Sequence, residues 1–108
     1  MGFVKVGETS DIGPGKVRAY AIGGKEIVLA NIDGKFYAMD RYCPHAGGDL
    51  SKGSLDGKVI TCPRHGSKYD MEGRATVAPP KVAFLKLKAP VAQYYDVKVE
   101  GKDVLVKL

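Results

Sequence analysis

The stretch Cys43-Pro44-His45-Ala46-Gly47-Gly48 returns in altered form as Cys62-Pro63-Arg64-His65-Gly66-Ser67, and together the two hold both cysteines and both histidines of the chain. Each sets a cysteine beside a proline, follows it with a histidine after one or two residues, and reaches a glycine soon after. A fold for this sequence must therefore carry two thiols and two imidazoles on two short glycine-bearing loops.

The remainder reads as strands. Lys16 to Ile22 alternates Val17, Ala19 and Ala21 with Arg18 and Tyr20, the pair Gly23-Gly24 can turn the chain, and the apolar run Ile27-Val28-Leu29-Ala30 follows. Asp33-Gly34 supplies residues that a two-residue hairpin turn requires, and Phe36 to Met39 continues as the next strand. Further on, Tyr95, Val97 and Val99 alternate with Asp96, Lys98 and Glu100, Gly101 turns, and Val104 to Leu108 returns. Val82 to Lys88 is one more strand candidate. No segment sustains a 3.6-residue apolar period with caps, so the expected class is all-β, built of short antiparallel strands. A length of 108 residues and an apolar fraction of 44% suit one folded domain, residues 1–108.

Between Tyr42 and Pro80 the composition shifts to Gly, Pro, Ser and charged residues, and only Lys58 to Thr61 reads as strand. Residues 43–80 are expected to form a small lobe inserted in the β frame. With little apolar surface of its own, such a lobe calls for something other than hydrophobic contact to hold it, and a bound metal would do so.

A net charge of +5 raises the question of an anionic partner. Lys and Arg are scattered among the acids, with no basic run and no aromatic interleaving, so nucleic-acid binding is not expected. The start of the chain, MGFVKVGETS, lacks the pattern of a secretory signal, and no window approaches the roughly 18 apolar residues of a membrane span. The expectation is a cytoplasmic, monomeric protein with no membrane association. A single Asn, Asn31, and a single Gln, Gln93, in a lysine-rich chain lean towards a heat-adapted, archaeal or thermophilic, source.

Two cysteines can be buried thiols, a disulfide or metal ligands. Metal ligation accounts for a histidine within three residues of each. A Cys-His nucleophile pair would explain one of the two loops but not both. A structural zinc in an interaction module also takes two Cys and two His, although familiar zinc patterns pair Cys with Cys and His with His, whereas here each loop mixes them.

The order Cys43-x-His45, 16 intervening residues, Cys62-x-x-His65, with these glycines, resembles the Rieske family of iron-sulfur proteins. The likeness extends to Asp70 and Gly73, to Ala78-Pro79-Pro80, and to the closing YDVKVEGKDVLV segment. It implies an antiparallel β-sandwich frame with an inserted cluster-binding lobe, and one [2Fe-2S] cluster per chain. Cys43 and Cys62 would hold one iron, and His45 and His65 the other, nearer the tip. Ser67 and Tyr69 match the hydroxyl residues that, in high-potential relatives, donate to a bridging sulfide and to a cysteine sulfur. Gly47, Gly48 and Gly66 would let backbone N–H groups approach the cluster, and Pro79-Pro80 would cover it.

Relatives in respiratory and photosynthetic complexes carry two further cysteines that staple the loops, and this chain has Gly48 and Arg64 at those positions. The resemblance therefore points to a Rieske-type ferredoxin, an electron carrier without catalytic residues of its own. Its partners would be a reductase and an acceptor such as a ring-hydroxylating oxygenase. The alternative within the same fold is a small subunit of a larger oxidoreductase such as a nitrite reductase. Basic charge from Arg41, Lys52, Arg64 and Lys68 near the tip is a candidate guide for docking.

Overall fold

The computed structural model describes residues 2–42, 48–64, 66–78 and 92–108. Among them lie eleven strands: β1 (Phe3–Glu8), β2 (Val17–Ile22), β3 (Lys25–Ile32), β4 (Lys35–Asp40), β5 (Ser54–Asp56), β6 (Val59–Thr61), β7 (Lys68–Asp70), β8 (Ala75–Ala78), β9 (Tyr94–Tyr95), β10 (Val97–Glu100) and β11 (Asp103–Lys107). All pairings are antiparallel, and they make three sheets, β1-β11-β10, β2-β3-β4-β9 and β5-β6-β7-β8. The all-β expectation holds.

The β2-β3-β4-β9 sheet is the middle layer, and its apolar pattern shows why. Along β3 the side chains alternate between two cores. Ile27 and Leu29 join Phe36, Ala38, Ile12, Val104 and Val106 on one face. Val28, Ala30 and Ile32 join Met39, Leu50, Ile60, Tyr69 and Met71 on the other. A strand covered on both faces needs an unbroken apolar run rather than alternation, which is what Ile27 to Ala30 provides. The β3–β4 turn is Asp33-Gly34, both residues at positive φ (54° and 87°). Buried Asn31 secures it: Oδ1 accepts from Gly34 N–H at 2.8 Å and Nδ2 donates to the Ile12 carbonyl at 2.8 Å. The lone asparagine thus has both ends of its amide used inside the protein.

Three expectations from the sequence are corrected. The segment that follows Lys52 holds not one strand but four, because β5, β6 and β7 have only three residues each and are too short to display a period. That sheet is also not poor in apolar contact, since Ile60, Tyr69 and Met71 pack with Leu50 against the middle layer. Finally, Tyr95 to Glu100 is not one continuous strand: Tyr94 and Tyr95 pair with Met39 and Ala38, and beyond Asp96 the chain crosses to pair Val97 with Val106. Val99 is consequently exposed, at 44%. Val82 to Lys88 and Pro79-Pro80 lie outside the described residues.

Candidate metal centre

The second Cys-His loop leaves β6 at Thr61 and re-enters the sheet at Lys68 on β7. Its base is closed by main chain: Cys62 N–H donates to the Ser67 carbonyl at 2.7 Å, and Gly66 N–H to the Cys62 carbonyl at 3.1 Å. Gly66 has φ +74°, where a side chain would be strained. This turn buries Cys62, a free thiol 1% exposed, and Ser67, which is fully buried. Tyr69, in the middle of β7, is fully buried too and packs in the same core as Cys62.

The Ser67 hydroxyl has no hydrogen-bond partner among the described residues. A buried hydroxyl left so costs about 1–3 kcal/mol, which an acceptor placed beside it would recover. Position 48 arrives from the first loop against the same spot. A Cβ on Gly48 would stand 2.5 Å from Cys62 Sγ and 3.0 Å from Arg64 Cβ. Positions 48 and 64, which the resemblance would match to the stapling cysteines, are thus neighbours here, without thiols. A buried thiol, an unsatisfied hydroxyl and a side-chain-free approach from the first loop fit a sulfide-bearing cluster. Cys43, His45 and His65 lie outside the described residues, and among those described no three His, Cys, Asp or Glu side chains gather.

The first loop is bracketed by a different device. Arg41 lays its guanidinium across Asp49, Nε to Oδ1 at 3.1 Å and Nη2 to Oδ2 at 2.9 Å, while Nη1 reaches Glu26 Oε1 at 2.9 Å. Main-chain bonds run parallel, from Arg41 N–H to the Glu26 carbonyl at 3.1 Å and from Leu50 N–H to the Arg41 carbonyl at 2.8 Å. Asp49 also caps the following 3-10 turn, accepting from Ser51 N–H at 3.0 Å and from its hydroxyl at 2.6 Å. The Arg41 bond chiefly, with those from Ser51, holds the Asp49 carboxyl down at about 2. Arg41 is therefore engaged and is not one of the tip charges available for docking, whereas Lys52 and Lys68 are exposed. Sequence reasoning missed this pairing, because nothing local distinguishes an Arg and an Asp eight positions apart.

Asp70 and Gly73 prove to be a turn device between β7 and β8. Asp70 Oδ1 accepts from Gly73 N–H at 2.8 Å, and a Cβ on Gly73 would lie 2.8 Å from Oδ2. The Gly73 bond first, then Lys58 at 3.4 Å, lowers the Asp70 pKa.

Among the described residues no helix is long and apolar enough to cross a membrane. The chain is 36% identical over 102 residues to the ferredoxin component of the naphthalene 1,2-dioxygenase system of Pseudomonas aeruginosa, covering 91% of this chain and 88% of that one. Its fold is similar to the ferredoxin of carbazole 1,9a-dioxygenase from Nocardioides aromaticivorans IC177, with TM-score 0.82, 28% identity and coverage of 98% and 97%. It is equally similar, at TM-score 0.82 and 28% identity over 96% of this chain and 91% of that one, to a chain in the complex of reduced oxygenase and oxidized ferredoxin in carbazole 1,9a-dioxygenase. The Rieske [2Fe-2S] domain model matches residues 2–96. With that match across most of its length, the chain belongs to the Rieske [2Fe-2S] family, and a [2Fe-2S] cluster is its cofactor.

Proposed function

We propose that this protein is a Rieske-type ferredoxin that carries one electron at a time from a reductase to the terminal component of a ring-hydroxylating oxygenase, in the cytoplasm. The observation that carries the reading is near end-to-end similarity to dioxygenase ferredoxin components, with 91% of this chain and 88% of the relative matched. Similarity to a small nitrite reductase subunit rests on 18% identity and speaks for the fold alone.

In this reading the whole chain, 1–108, works as one domain, and residues 43–80 form the part that holds the cluster. Cys43 and Cys62 ligate one iron, and His45 and His65 the other. When bound, the cluster supplies a one-electron couple. The buried Cys62 thiol keeps its end of the site away from water, while neutral imidazoles in place of two thiolates leave the oxidised set formally uncharged and easier to reduce. The test is electron paramagnetic resonance of the dithionite-reduced protein: a mean g value below that of an all-thiolate cluster is expected. A mean equal to the all-thiolate value would refute mixed ligation. Electron transfer is then checked directly, by whether the purified protein restores turnover to a dioxygenase reductase and oxygenase pair.

Ser67 and Tyr69 are the proposed hydrogen-bond donors to the cluster sulfurs. Such bonds strengthen as negative charge is added, so they favour the reduced state. For Ser67 the support is its buried, unpartnered hydroxyl. If reduction strengthens the bond by about 1 kcal/mol, Ser67→Ala lowers the midpoint potential by roughly 40 mV. Protein-film voltammetry of the two forms measures it, and an unchanged potential would remove Ser67 from the role.

A further inference from the structure

The two loops are held shut by unlike means. The Cys62 loop is closed by its own main chain, through Cys62 to Ser67 and Gly66 to Cys62. The Cys43 loop is flanked by Tyr42 and Asp49, an isolated bridge beside which Leu50 N–H donates to the Arg41 carbonyl at 2.8 Å, and it lacks the pair of cysteines that could staple it. Immediately outside that bridge sits the Arg41 fork. It grips Asp49 on the far side of the loop with two bonds, and Glu26, next to the apolar run of β3, with a third. Arg41 and Asp49 are both well covered, with side chains 25% and 18% exposed, so water screens this pair less than the open pairs elsewhere. The guanidinium also stacks on Tyr42, 5.3 Å from the ring centroid.

We infer that Arg41 is a positioning residue for the cluster: its fork to Asp49, anchored on Glu26, latches the base of the first ligand loop to the frame. It does for the base of one loop what a covalent staple would do between the two loops. The inference rests on Cys43 and His45 being ligands. A latch that fixes both ends of the loop limits how far those two can swing away from the iron, so its loss should show first in cluster retention and in the spread of ligand geometries.

The test uses the intact holoprotein. Arg41→Met and Asp49→Asn are each expected to speed cluster release into a ferrous chelator, followed by visible absorbance, by roughly ten-fold or more, the worth of a charge-assisted bond. Both should broaden the resonance lines of the reduced cluster. Asn at position 49 can still accept from Ser51, so this variant removes the charge and the Nη2 arm of the fork while keeping the cap; it carries the test alone if Arg41→Met does not fold. Arg41→Lys keeps the charge without the fork and should release at an intermediate rate. Arg74→Met, which breaks the 2.6 Å pair with Asp96, is the control and should release as the parent does. Release at the parent rate in Asp49→Asn, or equal acceleration in Arg74→Met, overturns the latch. Cys43→Ala separates the two readings: if it keeps a full cluster the ligand assignment fails, whereas a colourless Cys43→Ala beside a slow-releasing Asp49→Asn sinks the latch alone.

Discussion

Cys62→Ala is expected to abolish the visible absorbance of the protein and reduce bound iron and acid-labile sulfide to near zero, while the middle sheet stays folded. Cys62 is the one proposed ligand whose surroundings are described, and it is packed among Met39, Leu50, Ile60 and Tyr69 rather than lying on the surface. Under that assignment its removal takes the metal from β5 to β8, strands of only three or four residues. The opposite core, with Ile27, Leu29, Phe36, Ala38, Val104 and Val106, contains no residue of that sheet. Amide exchange should therefore accelerate across 54–78 and remain slow in β3 and β11. Lost packing has to be told apart from a lost ligand, and Met71→Ala does this. Met71 is 1% exposed in the same core, and its truncation costs about 2–5 kcal/mol without touching a ligand. Met71→Ala should melt earlier yet keep its colour. A Cys62→Ala protein with full iron and sulfide content would end the ligand assignment.

What could be read from the sequence and what could not divides along physical lines. β3 was legible because burial on both faces leaves an uninterrupted apolar run, and its turns because Gly23-Gly24 and Asp33-Gly34 occupy positive φ. β1 was not, since the bulge between Lys5 and Gly7 shifts its register against β11 and breaks the alternation. The crossing at Asp96 was invisible for the opposite reason: Tyr95, Val97 and Val99 keep alternating while the partner changes from β4 to β11. In the proposed site, ligand spacing singled out Cys62 and the family resemblance singled out Ser67 and Tyr69, and the structure buries all three. The Arg41–Asp49 fork could not, because a pair that closes a loop depends on where the loop's ends meet, and no local pattern encodes that.

Gly53→Ala should be the most damaging change that adds only a methyl group. Gly53 ends the 3-10 turn of Leu50–Lys52, donating its N–H to the Leu50 carbonyl at 3.0 Å, and passes the chain into β5. A Cβ there would overlap the Thr61 carbonyl oxygen and lie 3.2 Å from the Thr61 carbonyl carbon and 3.3 Å from the Leu50 carbonyl oxygen. All three neighbours are main chain, which cannot rotate aside as a side-chain tip can. Relief must come from separating Ser54 from Thr61 at the end of the β5–β6 pair, and Thr61 is bonded to Cys62. The strain thus reaches the proposed ligand Cys62 through a single peptide unit. A cost of about 3 kcal/mol or more is expected, and a melting point at least ~10 °C lower, with cluster loss coinciding with the melt. Gly57→Ala supplies the contrast, since nothing lies within 4 Å of its added Cβ and only the positive φ of 59° opposes it. That variant should lose about 1–2 kcal/mol and retain its cluster to the end of the transition. Equal melting points for the two variants, followed by circular dichroism and by visible absorbance together, would show that the Thr61 carbonyl yields and that the contact does not constrain the site.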